Sequence, residues 1–298
     1  MRSFSEQKDS IFLTGIYIAM SILLLITVYP LYYVVIASVS DPNFVALGQV
    51  IFLPKGITFE GYRRVFNNLD IWIGYRNTIF YTVTATCVNL AVTLSAAYSL
   101  ANRQLIGRKT ITYLMLFTMF FSGGLIPTYL LIQSLGMIDS IWVMIVPGAA
   151  SVYFIFISRT FFSSGTFTEL EDAARIDGCS VLGTFLRIII PLSTALIAVM
   201  TLFYGIGHWN SYFSAMIYLS DRNKFPLQVF LREILVLNQM SDANTITTEQ
   251  AELLALQART AELVKYVIMI VATLPVMIIY PFLQKYFVRG VMLGSIKG

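Results

Sequence analysis

The chain alternates between long uncharged, mostly apolar runs and shorter polar connections. Six runs contain no Asp, Glu, Lys or Arg, and each is long enough to approach or exceed the roughly 20 residues with which a helix crosses a bilayer. In lipid a helix satisfies its own backbone hydrogen bonds. We therefore predict an all-α integral membrane protein with about six transmembrane helices, near residues 11–38, 77–102, 110–134, 140–160, 188–212 and 265–284.

Glycine and proline predict where the connections and the bends fall. The first long polar segment, residues 39–75, should be an external loop with a short helix near Phe59–Asn67. Residues 213–264 should form a second external loop. Within the runs we expect interruptions at Gly123, Gly124 and Pro127, a kink at Pro147, and a break at Gly205 and Gly207.

Composition places the chain in a membrane and excludes several functions. Of its 298 residues, 57% are hydrophobic and 12% charged, whereas soluble domains have about a quarter charged residues. The net charge of +4 does not indicate a nucleic-acid partner. Cys87 and Cys179 form no plausible disulfide framework, and a single histidine provides no metal-binding cluster.

Basic residues predict the orientation of the chain, because Lys and Arg concentrate in short cytoplasmic connections. They fall on one side of the predicted spans: Arg2, Lys8, Arg103, Arg108, Lys109, Arg159, Arg175, Arg187, Lys285, Arg289 and Lys297. The short connection on the other side has Asp139 and no Lys or Arg. We therefore expect residues 1–10, 166–187 and 289–298 in the cytoplasm of the cell.

One predicted cytoplasmic segment, Glu169–Pro191, is charged although it lies between apolar runs. Thr168 and Glu171 have capping-box spacing, so a helix can begin there. Gly178 can end that helix in the left-handed conformation, and Ser180 can cap a second one. The first helix has four acids around two small residues: Glu169, Glu171, Asp172 and Asp177 around Ala173 and Ala174. A partner's groove could approach such a helix closely; a solvated connecting loop explains the charge pattern equally well.

The chain lacks the groups that would drive transport or catalysis by itself. Ion-coupled carriers usually have buried carboxylates, and the six runs contain none. No G-x-x-x-x-G-K-[ST] phosphate loop is present, and His208 has no acid nearby to orient it as a catalytic base. We expect no enzyme activity and an energy supply from a partner. The alternatives are an ion-coupled secondary carrier and a membrane scaffold without a transport role.

The fifth run contains the best candidate for a substrate pathway. Sugars present apolar ring faces and many hydroxyls, so their conduit needs aromatic surfaces and amide or hydroxyl partners. These residue types cluster at Tyr204, His208, Trp209, Asn210 and Tyr212, with weaker candidates at Tyr81, Asn89 and Tyr98. The alternatives are an aromatic belt at the membrane interface and, for His208, a packed or hydrogen-bonded histidine.

The acidic segment resembles the EAA loop of ABC-importer permeases. The positions of its carboxylate, two alanines, glycine and I-x-L-P ending are held by Asp172, Ala173, Ala174, Gly178, Ile188, Ile190 and Pro191. The stretches FYGIGHWNSYFSAMIYL and YPFLQKYFVRGVMLGSIKG resemble the fifth helix and the C-terminus of the oligosaccharide-importing branch. This branch includes the maltose-importer small permease and, more similar still, permeases for polysaccharide fragments.

The resemblance implies the type I ABC importer permease fold in a bacterial cytoplasmic membrane, and the import of oligosaccharides or polysaccharide fragments. It implies that an ATPase-coupling helix docks into a cleft of a cytoplasmic ATPase. The coupling residues would be Glu169, Glu171, Asp172, Ala173, Ala174, Asp177 and Gly178. The implied partners are a second homologous permease, two ATPase subunits that bind ATP and Mg²⁺, and an external solute-binding protein. No cofactor of the chain's own is expected.

Overall fold

The regular elements of the structure are helical. The computed structural model describes residues 4–240, 264–279 and 281–282, and that part of the chain has no strand, which confirms the predicted all-α class. Its helices are α1 (Phe4–Ser38), α2 (Pro42–Ala46), α3 (Glu60–Asn67), α4 (Leu69–Ala101), α5 (Arg108–Phe120), α6 (Leu125–Ser134), α7 (Val152–Phe162), α8 (Gly165–Ile176), α9 (Val181–Thr184), α10 (Ile190–Leu192), α11 (Thr194–Trp209), α12 (Phe213–Tyr218), α13 (Leu227–Met240) and α14 (Val264–Ile279). A π-helical stretch, Phe185–Ile189, joins α9 to α10.

Two helices are long and apolar enough to cross a membrane unaided: Phe12–Ser38, within α1, and α4. Two bent pairs reach that length together, α5 with α6 at 115° and Val181–Leu192 with α11 at 80°. Helices α7 and α14 are apolar but shorter. By length and composition, the described residues therefore contain two spans, or four if each bent pair is one span. The arrangement of six spans stays a prediction.

The third apolar run bends where its glycines and proline predicted. Helix α5 ends at Phe120 and α6 begins at Leu125. Gly124, between them, has φ of 85°, a conformation that costs glycine little. Pro127 lies in the first turn of α6, where a missing N–H leaves no hydrogen bond unmade.

The fifth run breaks at a different place from the predicted Gly205 and Gly207. Helix α11 passes through both glycines, and the 80° bend lies at Ser193, shortly after Pro191. Proline has no N–H to donate to the preceding turn, which makes it a common cause of bends. The Ser193 hydroxyl donates to the carbonyl of Ile189 at 2.6 Å. Glycine inside a helix costs only about 1 kcal/mol, so helix packing can override it.

Two predicted boundaries also differ from the structure. The predicted short helix is confirmed as α3, but α4 begins at Leu69, inside the segment predicted as loop. Its polar first turn is held by a tertiary ion pair between Asp70 and Arg222, 2.8 Å apart. The fourth run is helical from Val152 as α7, so Pro147 precedes the helix instead of kinking it. The start is set by Ser151, the N-cap of α7, which has the extended backbone that precedes a helix.

Contacts divide the chain into two compact units, and residues 1–69 and 231–274 form one of them. Among its described residues, Ile36 and Ala37 at the end of α1 pack with Val45 and Val50. The hydroxyls of Tyr29 and Tyr32 donate to the carbonyls of Ile51 and Phe52. These contacts fasten the end of α1 to the segment that follows α2.

The second unit, residues 70–230 and 275–298, is built on the buried face of α4. Its core joins α4 to α7, to the π-helical stretch and to α11 through Leu94, Ala97, Leu100, Ile155, Phe162, Ile189, Leu196, Met200 and Tyr204. Gly74 allows α13 to approach, because a Cβ at that position would lie 2.8 Å from the Leu227 Cα.

Asp139 holds the connection between α6 and α7 against the segment that follows α12. Its carboxylate accepts the backbone N–H groups of Asp221 and Ser220, each at 3.0 Å, and lies 2.9 Å from the Lys224 ammonium. These hydrogen bonds, those from Asp221 and Ser220 first, lower the pKa of Asp139 to about 2. The bond to Asp139 likewise raises the pKa of Lys224. Asp139 has φ of 55°, a left-handed conformation that Asp and Asn tolerate better than most residues.

We expect Asp139→Asn to lower the thermal unfolding temperature of the purified protein at pH 7, because Asn tolerates the same backbone conformation but has no charge. The folded-state pKa lies below the ordinary value, so this stabilisation is fully present above about pH 4 and is lost as the pH falls towards about 2. The difference between wild type and variant should disappear over that interval. The exposed Asp172→Asn is the control, and a difference that does not change with pH would refute a charge effect.

Candidate functional site

The acidic segment folds as two helices joined at Gly178, as predicted. Helix α8 ends at Ile176, and Gly178 follows with φ of 76°. The Gly178 N–H donates to the Arg175 carbonyl at 3.1 Å, and the Cys179 N–H donates to the Ala174 carbonyl at 2.9 Å. This pair of bonds is the Schellman motif, in which the residue at the position of Gly178 is left-handed.

Serine occupies the N-cap of both flanking helices. The Ser180 hydroxyl accepts the Gly183 N–H at 3.1 Å and caps α9, as predicted. The predicted start of the first helix is wrong, because Ser164 is its N-cap and Thr168 lies inside α8. Ser164 has the extended backbone that begins a helix, one turn before the spacing of Thr168 and Glu171 suggested.

Acidic side chains give α8 a negatively charged outer surface. Glu169, Asp172 and Asp177 are all exposed. Ala173 is exposed as well, whereas Ala174 is buried against the protein. Only one of the two alanines is therefore accessible to a partner.

Glu171 lies beside Tyr98, near the end of α4. The side chains of Tyr98 and Glu171 line the same cavity. The Tyr98 ring stacks on Phe185 at 4.8 Å between centroids and meets Phe162 edge-on at 6.1 Å. The cavity has a volume of about 210 Å³ and is lined also by Arg175. Tyr98, a weaker pathway candidate, thus lies beside α8 near the end of α4.

Large apolar side chains next to the turn are exposed, although none was a predicted site residue. Ile176 is 86% exposed, Val181 69% and Leu182 65%. We call these three residues, with Gly178 and the exposed acids Glu169, Asp172 and Asp177, the turn surface. Exposed apolar side chains rimmed by polar ones are typical of protein–protein interfaces. The signal in the sequence is an apolar residue on each side of the turn glycine.

Two predicted pathway residues, Tyr204 and His208, make hydrogen bonds to α4. The hydroxyls of Tyr204 and Thr93 lie 2.6 Å apart, and His208 Nε2 lies 2.7 Å from Asn89 Oδ1. Asn89 Nδ2 donates to the Gly148 carbonyl at 2.5 Å. That bond fixes Asn89 Oδ1 as the acceptor facing His208, so His208 Nε2 bears a proton. The contact matches the hydrogen-bonded alternative for His208, and its pathway role stays a prediction.

The other three pathway residues lie around the end of α11. Trp209 is buried and lines an apolar cavity of about 280 Å³, together with residues of α4 and α14. Asn210 is exposed, and its side-chain N–H donates to the Ile206 carbonyl at 3.0 Å. Tyr212 is half-buried and meets the Phe213 ring edge-on. The five predicted residues therefore divide between helix contacts, a helix end and the wall of this cavity.

Metal-ligating side chains are scattered in the described part of the chain. No group of three or more His, Cys, Asp or Glu residues there could hold a metal ion. Cys87 and Cys179 are both free and exposed.

No protein-family model matches the chain. It is 37% identical over 291 residues to the polygalacturonan/rhamnogalacturonan transport system permease protein YtcP of Bacillus subtilis, covering 98% of this chain and 100% of that protein. It is 38% identical over 273 residues to Protein LplC of the same organism, covering 92% and 90%. It is 25% identical over 278 residues to the arabinooligosaccharides transport system permease protein AraQ of Halalkalibacterium halodurans, covering 92% of each.

A solved structure is similar to this chain over nearly the whole length of both chains. It is the crystal structure of a bacterial ABC transporter involved in the import of the acidic polysaccharide alginate. The TM-score is 0.83 at 34% identity, with 96% of this chain and 99% of that chain covered. The apolar helices, the all-α fold and these relatives agree: this chain belongs to the integral-membrane permeases of bacterial carbohydrate ABC importers.

Proposed function

We propose that the turn surface docks on a cytoplasmic ATPase subunit and that this contact drives the permease between its inward-open and outward-open states. The observation that carries the proposal is the left-handed turn at Gly178, which presents exposed acidic and apolar side chains together. In this proposal the assembly has two such ATPases, which bind ATP and Mg²⁺. A second homologous permease and an external solute-binding protein complete it.

The proposed orientation places both termini and the turn surface in the cytoplasm. Arg103 precedes α5, and Arg108 and Lys109 begin it. Arg159 lies at the end of the fourth predicted span, and Arg175 lies between the fourth and fifth. Because basic residues are retained on the cytoplasmic side, their distribution supports this orientation. The Asp139 connection then lies outside.

The contacts around α4 suggest how movement of α8 would reach the rest of the bundle. Glu171 of α8 and Tyr98 near the end of α4 line the same cavity. Further along α4, Thr93 and Asn89 bond to Tyr204 and His208 of α11. A rotation of α8 would thus act on α4 and, through α4, on the helix that contains the predicted pathway residues.

We further propose that the substrates are fragments of complex polysaccharides, acidic ones included. The support is that two similar proteins are named for polygalacturonan/rhamnogalacturonan transport and alginate import. The second nitrogen of His208, Nδ1, would be an acceptor when Nε2 bears the proton, which suits a sugar hydroxyl. Trp209 and Tyr212 would offer aromatic surface to sugar rings.

Gly178→Val should uncouple ATP hydrolysis from transport. No atom lies within 4 Å of a Cβ at this position, so the strain would come from the backbone alone, at about 1–3 kcal/mol. We expect weaker co-purification of the ATPase and a loss of binding-protein-stimulated ATP hydrolysis in the reconstituted complex, with membrane insertion unchanged. Gly178→Asn is the matched control, because Asn tolerates left-handed backbone, and it should retain most activity. If the valine variant matches the wild type, this turn is not the coupling element.

Tyr98→Phe tests the link between α8 and α4. The variant keeps the ring contacts with Phe185 and Phe162 and loses the hydroxyl from the cavity that Glu171 also lines. We expect normal ATPase co-purification but a ratio of substrate uptake to ATP hydrolysed that is lower by about fivefold, for a polar interaction worth about 1 kcal/mol. Tyr113→Phe, at a site 69% exposed on α5, is the control and should leave the ratio unchanged. An unchanged ratio in Tyr98→Phe would exclude this route.

A further inference from the structure

A basic pocket lies between α5 and α7 and shares no lining residue with the cavities at Tyr98 and Trp209. It is an open cavity of about 490 Å³, within the size range of small-molecule sites. Arg108 at the start of α5 and Arg159 near the end of α7 provide its charge. Leu116 and Phe156 provide its apolar wall.

The two arginines have no counter-charge in the described part of the chain. The Arg108 Nε donates to the Leu100 carbonyl at 2.8 Å. Arg159 lies over the Phe156 ring, 5.9 Å from its centroid, and its Nη1 is 3.5 Å from the Thr112 hydroxyl. No described carboxylate pairs with either guanidinium. Both arginines are half-buried and repel each other, so a bound anion would stabilise the pair.

The remaining N–H groups of the arginines are the donors available to such an anion. The hydroxyls of Thr112, Thr160 and Ser163 all line the pocket, but each donates to a backbone carbonyl of its own helix. A phosphate suits two guanidiniums, which present planar sets of N–H donors to its oxygens.

The pocket has charged side chains at one end and apolar side chains at the other, which suits an amphiphilic ligand. Leu116 lies about 12 Å further along α5 than Arg108, at 1.5 Å per residue, in the direction of the predicted membrane core. Exposed apolar side chains surround this end: Tyr113 is 69% exposed, Phe117 59% and Ile157 39%. A ligand bound here would meet charge at the membrane surface and apolar side chains at the depth of the acyl chains.

We propose that the basic pocket binds the phosphate of an anionic phospholipid headgroup, held between Arg108 and Arg159 with its acyl chains along Leu116 and Phe156. The assignment of this lipid to the cytoplasmic leaflet rests on the proposed orientation of the chain. Anionic lipids commonly occupy basic pockets between transmembrane helices on this side. The site would fix the relative position of α5 and α7.

The test is retention of phosphatidylglycerol by the intact complex, measured by native mass spectrometry after purification in mild detergent. An arginine in contact with an anionic headgroup strengthens binding by about fivefold, so Arg108→Gln with Arg159→Gln should weaken retention by about 30-fold. Replacing both arginines with lysine, which keeps the charge, should restore most of it and shows that the fold survives. Arg103→Gln, an exposed residue of the same connection, is the control and should have no effect.

Two added ligands and one variant separate the alternatives. Phosphatidylcholine should not replace phosphatidylglycerol, and inorganic phosphate should neither compete nor raise the unfolding temperature. If inorganic phosphate acts as well as the lipid, the pocket is a site for a soluble anion and the proposal is overturned. If the double glutamine variant loses the partner permease but retains the lipid, the proposal is also overturned. The two arginines would then pair with a carboxylate of the partner. Gly178→Val should retain the lipid, so a failure of coupling and a failure of lipid binding remain distinguishable.

Discussion

Lipid offers no water to an unpaired polar group, so each interruption of a membrane helix must be compensated within the protein. Beside three interruptions of the apolar runs, a short polar side chain donates a hydrogen bond to a backbone carbonyl. At the bend between α5 and α6, Thr128 donates to the Gly124 carbonyl at 2.7 Å. After Pro191, Ser193 donates to the carbonyl of Ile189. Beside Pro147, Asn89 donates to the Gly148 carbonyl. Serine, threonine and asparagine thus supply part of the hydrogen bonding of the backbone at these interruptions.

This requirement gives α4 its central place in the second unit. Asn89, fully buried, satisfies the Gly148 carbonyl and meets His208 with its other side-chain atom. Thr93, one turn further, meets Tyr204. Because these pairs are spaced by four residues on both helices, α4 and α11 are held in one register. Near its other end, Tyr98 of α4 lines the same cavity as Glu171 of α8. A single helix thus lies beside both α8 and the helix that contains the pathway candidates, so a displacement at one end need not pass through a flexible loop.

The parts of the structure that depend on neighbouring residues were predictable from the sequence, and the parts that depend on distant contacts were not. Gly178 and Ser180 form the turn through bonds to residues at most five positions away, so their roles could be inferred from spacing. The break at Gly205 and Gly207 was predicted wrongly, because packing decides whether a helical glycine is tolerated. The early start of α4 depends on Asp70 meeting Arg222. The shared cavity of Tyr98 and Glu171 depends on two segments far apart in the chain. Periodicity and spacing contain no information about such contacts.

Three sets of charged residues in the described part of the second unit differ in what neutralises them. Asp139 and Lys224 neutralise each other, and their role is to hold two connections together. The acids of the turn surface, Glu169, Asp172 and Asp177, are exposed, so water can solvate them until a partner binds. Arg108 and Arg159 differ from both groups, because they are half-buried beside apolar side chains and have no described acid nearby. A charge that neither water nor the protein neutralises fully is costly to retain. At a membrane surface the abundant neutralising group is the lipid phosphate, so lipid composition is expected to affect the stability of this permease at α5 and α7 more than at the turn surface.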